Sequence, residues 1–434
     1  MAISELGSQR QEGSPSEPRR PGSLLSAWIK TLLLRQHWLE GKTVGIAAVI
    51  LDLDGTLLDS REDPVPGVKD MLSSLRSNGI QIAIASNRPN VTARVRSAGL
   101  VHDLIMGQDT VGAKKGSPRW VESACTDFGI PTNQVVWLGD SDLDMRSAAN
   151  AHIVYFNAGW SVPDYLYGIN VPSPRVFDLV ITECFTKTLY WYWQLSEVDG
   201  AGRSLEVKAM IDGNGAGIPA LKDDLIRFLK YGGDPSVGPL SVRDFMMIHL
   251  LASIYGEGLA SSVDTWTTYP GSRGGSNAAM APFIHMAARL FRDKYVDDLL
   301  VRHQPAIDSG KSRWQRRGVN FLNQVNTVFL NNGHEQRVVD RRILVVDDFS
   351  TDGYSFECAR NLLLEGGASD VVCVALGKYG LRHHIVSPRP GYSWDPFRPW
   401  RHNADAFNEF QQSGTTDNVA LDVIRQSYVN VDTS

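Results

Sequence analysis

The chain has 434 residues, of which 43% are hydrophobic and 21% charged, with a formal net charge of -5. That length suggests two or three domains, that composition a globular chain, and the mild acidity gives no nucleic-acid footprint. Cys125, Cys184, Cys358 and Cys373 lie too far apart for a Cys-x-x-Cys zinc site or a disulfide framework. Reduced thiols and a cytoplasmic setting are therefore expected. No apolar run is long enough to predict a membrane-spanning helix.

Residues 1–22 are rich in Ser, Pro, Glu and Arg and are expected to be disordered. The stretch 24–38 is apolar but interrupted by Lys30 and Arg35, which predicts an amphipathic helix rather than a signal core. From Ile46 the chain alternates strand and helix. An apolar run ends at Asp52, and Val68, Met71, Leu72 and Leu75 then recur at helical spacing. Strands follow at Ile80–Ala85, Leu104–Met106, Val135–Leu138 and His152–Phe156, with helices between them. Ser117 and Pro118 suit a cap and a first turn. This rhythm predicts a doubly wound parallel sheet.

Asp52 and Asp54 are two apart at the end of a strand, so their side chains leave on the same side. Open α/β sheets place ligands at that edge. Two close carboxylates call for a hard cation or a shared proton. A strand ending in an Asp-Gly turn is the plainer explanation of this pair alone. Three more polar clusters lie at later strand ends or helix starts: Ser86, Lys115, and Asp140 with Asp144.

These four elements, in this order, resemble the DxDGT, Ser/Thr, Lys and GDxxxD motifs of the haloacid dehalogenase superfamily of phosphohydrolases. The resemblance implies Asp52 as nucleophile, Asp54 as general acid and base, and Ser86 as a donor to a phosphoryl oxygen. It implies Lys115, rather than its neighbour Lys114, as the balancing cation. Gly55, Thr56 and Asn87 are expected to border the substrate. Mg²⁺ is expected on Asp52, the Asp54 carbonyl, and Asp140 with Asp144 or Asp142. An acid two positions after the nucleophile fits a phosphatase. Too few residues separate Asp59 from Val65, or Ser86 from Lys115, to hold a cap domain. A capless, open site is therefore expected, suited to a large substrate or to shielding by another domain.

The rhythm fades after Asn157. Trp191 and Trp193 are expected to anchor packing, and Gly200–Ser204 to form a flexible joint. The Met and Leu stripe of Val242–Ser253 is expected in the core, with His249 among it.

A second βα pattern begins at Thr265–Tyr269. Its Gly-rich turn, Pro270 to Ser276, precedes a helix expected over Asn277–Phe291, a combination suited to an anion. Further on, Arg342–Val346 is a buried strand leading into Asp347-Asp348 and the small polar loop Ser350–Ser355, followed by a helix. The strand Asp370–Ala375 comes next. This order, with the basic segment 311–317 between turn and acidic pair, resembles the phosphoribosyltransferases, nearest their competence-associated branch. The resemblance implies pyrophosphate at the turn, including Arg273 and Gly274, with Lys311 and Arg313 closing over it. It implies ribose hydroxyls at Asp347 and Asp348. The 5′-phosphate is expected at Ser350, Thr351, Asp352, Gly353 and Ser355. One departure is Asp352, where the family carries a second Thr; an acid beside a phosphate is electrostatically unfavourable.

The chain is thus expected to be α/β with two Rossmann-like doubly wound parallel-sheet domains. A phosphohydrolase domain spans 23–185, a linker 186–204 and a phosphoribosyltransferase-like domain 205–380. The extension 381–434 is expected to be irregular, then helical over 404–412 and 419–428, serving as an aromatic base pocket or a clamping arm. The expected function is a Mg²⁺-dependent phosphatase coupled to phosphoribosyl transfer in nucleotide or nucleoside-like metabolism, or one regulated by a second domain that only senses a nucleotide. The expected partners are a phosphorylated small molecule, phosphoribosyl pyrophosphate and a base, with a homo-oligomer left open and neither nucleic acid nor membrane involved.

Overall fold

The first sheet is built from β1 (Ala48–Asp52), β2 (Gln81–Ser86), β3 (Leu104–Gly107), β4 (Val135–Gly139), β5 (Val154–Ala158) and β6 (Ile169–Val171), seen in a computed structural model that describes residues 45–163, 165–186, 191–306 and 320–433. Its order is β3-β2-β1-β4-β5-β6, and every pairing is parallel. β1 sits inside the sheet with all five residues buried, which is why it reads as a continuous apolar run. Helices α1 (Val68–Ser77), α2 (Val91–Ser97), α3 (Gln108–Val111), α4 (Arg119–Phe128), α5 (Asp142–Asn150) and α6 (Pro174–Val180) connect the strands. Between Asp59 and α1 there is only a loop, and between β2 and Lys115 only α2, β3 and α3.

The second lobe opens with β7 (Trp193–Val198) and β8 (Ser204–Asp212), an antiparallel hairpin. The expected flexible joint, Gly200–Ser204, is instead the turn of this hairpin and the start of β8. Gly and small polar residues suit both roles, and Asp199 decides it by accepting from Ala201 N at 2.8 Å and Arg203 N at 3.0 Å. Trp191 and Trp193 are both buried, as expected of packing anchors.

After β8 come α7 (Pro219–Tyr231), the short hairpin β9 (Ser236–Val237) and β10 (Leu240–Ser241), and α8 (Val242–Gly256). Then follow β11 (Thr265–Thr268), α9 (Ala281–Leu290), β12 (Lys294–Tyr295) and β13 (Leu300–Arg302). Next are α10 (Leu322–Val325), β14 (Val328–Leu330), β15 (Arg342–Ser350), α11 (Tyr354–Glu365) and β16 (Asp370–Lys378). The chain ends with β17 (Arg382–Pro388), β18 (Phe407–Ser413), β19 (Thr415–Thr416) and α12 (Asn418–Asp432).

The second sheet has the order β12-β11-β15-β16-β8-β7-β19. The pairings from β12 to β8 are parallel, and β7 and β19 add an antiparallel edge. Three expectations shift here. β15 continues through the acidic pair to Ser350, because Phe349 and Ser350 still pair with Gly377 and Lys378. The helix after the Gly-rich turn starts at Ala281 rather than Asn277. The helix expected over 404–412 is β18, paired along its length with β17, so the extension is ordered by a hairpin and not by its own propensity.

Helix α8 is apolar on every side, and each residue from Phe245 to Tyr255 is buried, His249 included. A helix apolar all round must be covered all round. One core accordingly runs unbroken from Ile46 through α8 to Val431. Both sheets belong to a single compact unit. Tyr255 seals the junction, its hydroxyl donating to Thr132 O and Val135 O at 2.6 Å.

Candidate active site

Asp52 ends β1 in register with Ala85, so its side chain emerges at the carboxyl edge of the first sheet. Neighbouring β4 ends at Gly139, which places Asp140 and the start of α5 beside it. Ser141 caps α5. Its hydroxyl accepts from Asp144 N at 3.4 Å and donates to the Asp144 carboxylate, turning that side chain inward. Carboxylate oxygens of Asp52, Asp140 and Asp144 all lie within 4.8 Å of one another. Of the two aspartates left open, Asp144 faces the cluster, whereas Asp142 Oδ1 accepts from the Tyr165 hydroxyl at 2.7 Å.

Lys115 is buried and salt-bridged to Asp52 Oδ1, with Asp144 Oδ1 2.9 Å away. Lys114 is exposed. Burial pushes the Asp52 carboxyl well above its usual range against the pull of Lys115, and Asp144 and Asp140 push it further. Burial also raises Asp140. The Lys115 ammonium is held protonated by Asp52 and Asp144 despite its burial. Three carboxylates face one ammonium, an excess of negative charge on oxygen donors that fits a hard divalent cation. Gly55 has a φ of +80°, and a Cβ there would lie 2.1 Å from Asp140 Oδ2, so the turn can only be glycine.

The other residues expected at this site have partners within the protein. Thr56 is fully buried and its carbonyl accepts from Trp160 Nε1 at 3.0 Å. Asn87 Oδ1 accepts from Lys115 N at 2.9 Å. Ser86, at the end of β2, donates to Asp54 Oδ2 at 2.6 Å.

The Asp54 side chain stands apart from the three-carboxylate cluster. Arg94 Nη2 lies 2.5 Å from Asp54 Oδ1, and Arg88 Nη1 lies 3.2 Å from it. Glu62, from the loop after the acidic motif, pairs with Arg94 at 2.7 Å. Partial burial raises the Asp54 carboxyl, but the bonds from Arg94 and Ser86 and the charges of Arg94 and Arg88 outweigh it and hold it below its ordinary range. Arg88, Arg94 and Glu62 were not singled out from the sequence. Arg94 is one basic residue on the helix after Ser86, which any surface helix carries, and Arg88 and Glu62 lie in loops. Ser161, which donates to Asp140 Oδ2 at 2.9 Å, was likewise missed.

At the carboxyl edge of the second sheet, β11 and β15 are neighbours, with Thr268 opposite Val346. This register brings the Gly-rich turn alongside the acidic pair. Arg302, which no motif flagged, anchors that turn. Its Nε donates to Gly271 O at 2.8 Å, while its Nη1 and Nη2 reach Thr327 Oγ1 at 2.5 Å and Gln324 Oε1 at 3.0 Å. Arg273 is exposed on the turn, and Gly274 has a φ of +92°. Burial pushes Asp347 and Asp348 upward. The charge of Asp348 adds to the effect on Asp347, while Asp348 is eased by the Phe349 N–H and Lys230.

At the end of β15 Ser350 is buried, and in the following loop the Thr351 carbonyl is drawn onto the buried Lys378 ammonium. Asp352 is exposed and its carbonyl accepts from His384 N at 2.9 Å. Gly353 has a φ of +86°, and a Cβ there would lie 2.2 Å from the His383 ring. Ser355 lies in the first turn of α11. Lys311 and Arg313, like the segments 1–22 and 24–38, lie outside the described residues.

Residues 61–158 match the family described as haloacid dehalogenase-like hydrolase. The N-terminal lobe is similar to the haloacid dehalogenase-like hydrolases over these residues. The matched stretch holds Ser86, Lys115, Asp140 and Asp144, and Asp52 and Asp54 lie just ahead of it. Phosphoglycolate phosphatase of Rhodospirillum rubrum is 30% identical over 102 residues, covering 22% of this chain and 42% of that protein. Phosphoglycolate phosphatase of Aquifex aeolicus is 29% identical over 131 residues, covering 28% and 62%. The chain thus spans about half the length of the curated relatives it matches. Among solved structures, a haloacid dehalogenase-superfamily hydrolase of Ehrlichia chaffeensis aligns at 20% identity over 32% of this chain and 97% of that one, with a TM-score of 0.28. Among the described residues no helix is long and apolar enough to cross a membrane.

Proposed function

We propose that the chain is a Mg²⁺-dependent phosphomonoesterase acting through an aspartyl-phosphate on Asp52, with a second lobe that binds phosphoribosyl pyrophosphate and a base. The observation that carries the reading is the convergence of Asp52, Asp140 and Asp144 around a buried Lys115. Asp52 attacks phosphorus in line. Lys115 balances the charge of nucleophile and phosphoryl group, and Ser86 donates to a phosphoryl oxygen. Asp54, an anion in the free protein, takes up a proton as the substrate binds, gives it to the leaving oxygen, and then takes a proton from the water that hydrolyses the acyl phosphate. Asp52, Asp140 and Asp144 would hold Mg²⁺, whose chemistry there is neutralisation of phosphoryl charge.

Without a cap domain in the described residues, Asp54 and its arginines face an open mouth suited to a phosphorylated small molecule from nucleotide or nucleoside-like metabolism. The decisive experiment is hydrolysis of p-nitrophenyl phosphate with Mg²⁺. Asp52→Asn should lower turnover by about a thousandfold or more; retained turnover refutes Asp52 as nucleophile.

For the second lobe, transfer is supported by the shared edge of the Gly-rich turn and Asp347-Asp348. A sensing role is supported by Asp352 and by the Thr351 carbonyl that Lys378 holds. Incubation with Mg²⁺, phosphoribosyl pyrophosphate and a panel of bases separates the two. Pyrophosphate release lost in Asp347→Asn supports transfer. Calorimetric binding with no release supports sensing.

A further inference from the structure

Helix α5 runs from the carboxylate cluster to the junction with the second lobe, and two of its side chains hold the residue after Lys115. Gly116 N donates to Ser147 Oγ at 2.7 Å, and Asn150 Nδ2 donates to Gly116 O at 2.7 Å. Both backbone polar groups of Gly116 are therefore fixed by one helix. Its φ of +100° is open to glycine, which is equally free to leave it, so these two bonds hold the path leading out of Lys115.

Asn150 Oδ1 accepts from Arg292 Nη1 at 3.1 Å, and Arg292 belongs to the second lobe, just beyond α9. At the same place His152 Nδ1 lies 2.7 Å from Phe291 O. An asparagine amide has one accepting and one donating end. A guanidinium can only donate and a carbonyl can only accept. Arg292 thereby selects the amide orientation that keeps Asn150 Nδ2 on Gly116.

We propose that Arg292 is a positioning residue for the phosphatase site. Through Asn150 and Gly116, the second lobe holds the backbone from which Lys115 reaches Asp52 and Asp144. The proposal rests on the phosphatase reading above. It makes the second lobe part of the catalytic frame, whatever that lobe binds.

The test uses the full chain with Mg²⁺ and p-nitrophenyl phosphate. Arg292→Gly removes the side chain and keeps the left-handed backbone, φ +60° in the native chain. We expect kcat to fall about fivefold, the size of one lost hydrogen bond, with the Mg²⁺ requirement and the thermal midpoint unchanged. Arg292→Lys should restore most of the rate. In an Asn150→Ala background, Arg292→Gly should have no further effect, because the path is already broken. Turnover by Arg292→Gly equal to the native chain, while Asp52→Asn is inactive, overturns the positioning role alone. So does an undiminished loss in the Asn150→Ala background. Native turnover no greater than that of Asp52→Asn overturns the phosphatase reading, and this role with it.

Discussion

Arg94 donates to Asp54 at 2.5 Å, so the carboxyl assigned to move protons is held in the free protein as the anion of an ion pair. Arg94 in turn is shared with Glu62, and together they fix the Asp54 rotamer at the edge of the site. Arg94→Gln removes the charge and the fork while keeping the reach. Its kcat/KM should fall roughly tenfold to a hundredfold, as misplaced catalytic groups do. Steady-state kinetics at saturating Mg²⁺ measure it, and a native value would show that the ion pair is only structural.

Asp142 and Asp144 are both acidic residues in the first turn of α5, yet one faces Tyr165 and the other Lys115. Asp144→Asn should raise the Mg²⁺ concentration for half-maximal rate at least about a hundredfold. Asp142→Asn should change it less than about threefold. Titration of activity with Mg²⁺ compares them, and a reversed order would reassign the ligand.

Arg360 is fully buried between Glu357, 2.7 Å away, and Asp199, 2.9 Å away. It joins α11 to the β7–β8 turn and, through Val386 O at 2.8 Å, to β17. Arg360→Met would remove the cation these two buried carboxylates share, leaving Arg203 at 2.8 Å from Asp199 and His383 at 3.2 Å from Glu357. A loss of about 3–5 kcal/mol is expected, read from urea denaturation; a loss below about 1 kcal/mol would mean that the carboxylates find other partners.

Burial lowers His402 to about 4. Its Nδ1 lies 2.8 Å from the Tyr392 hydroxyl, and its ring packs against Trp394 and Phe407. The unfolded chain takes up a proton near pH 6.5 and the native chain only near 4, so the stability is complete above the first value and is lost as pH falls to the second. The loss from this residue is roughly 3 kcal/mol at most. His402→Phe should flatten that part of the stability-against-pH curve. An equally steep fall in the variant would place the titrating group elsewhere.

The carboxylate cluster was legible because each member stands at a strand end or helix start, where a period of two and a Ser cap dictate direction. Asp52, Lys115 and Asp140 needed only chain order to be found. Arg94 and Glu62 did not follow from order: Glu62 holds a φ of +66° in a loop, and its pairing with Arg94 spans a distance in sequence that no period encodes. The segment 404–412 reads as helix because Glu and Gln favour one in isolation, whereas β17 offers Phe407–Ser413 a complete ladder.

The sequence by itself determined the α/β class, the strand-end chemistry and the placement of α8 in a core, since these depend on local periodicity and turn residues. Only the tertiary structure decided which of two aspartates faces the cluster, that Asp54 is tied to Arg94, and that Arg292 reaches Asn150. The reason is physical. A strand fixes its own side-chain directions, but a hydrogen bond between lobes exists only once burial of α8 has set the two sheets against each other.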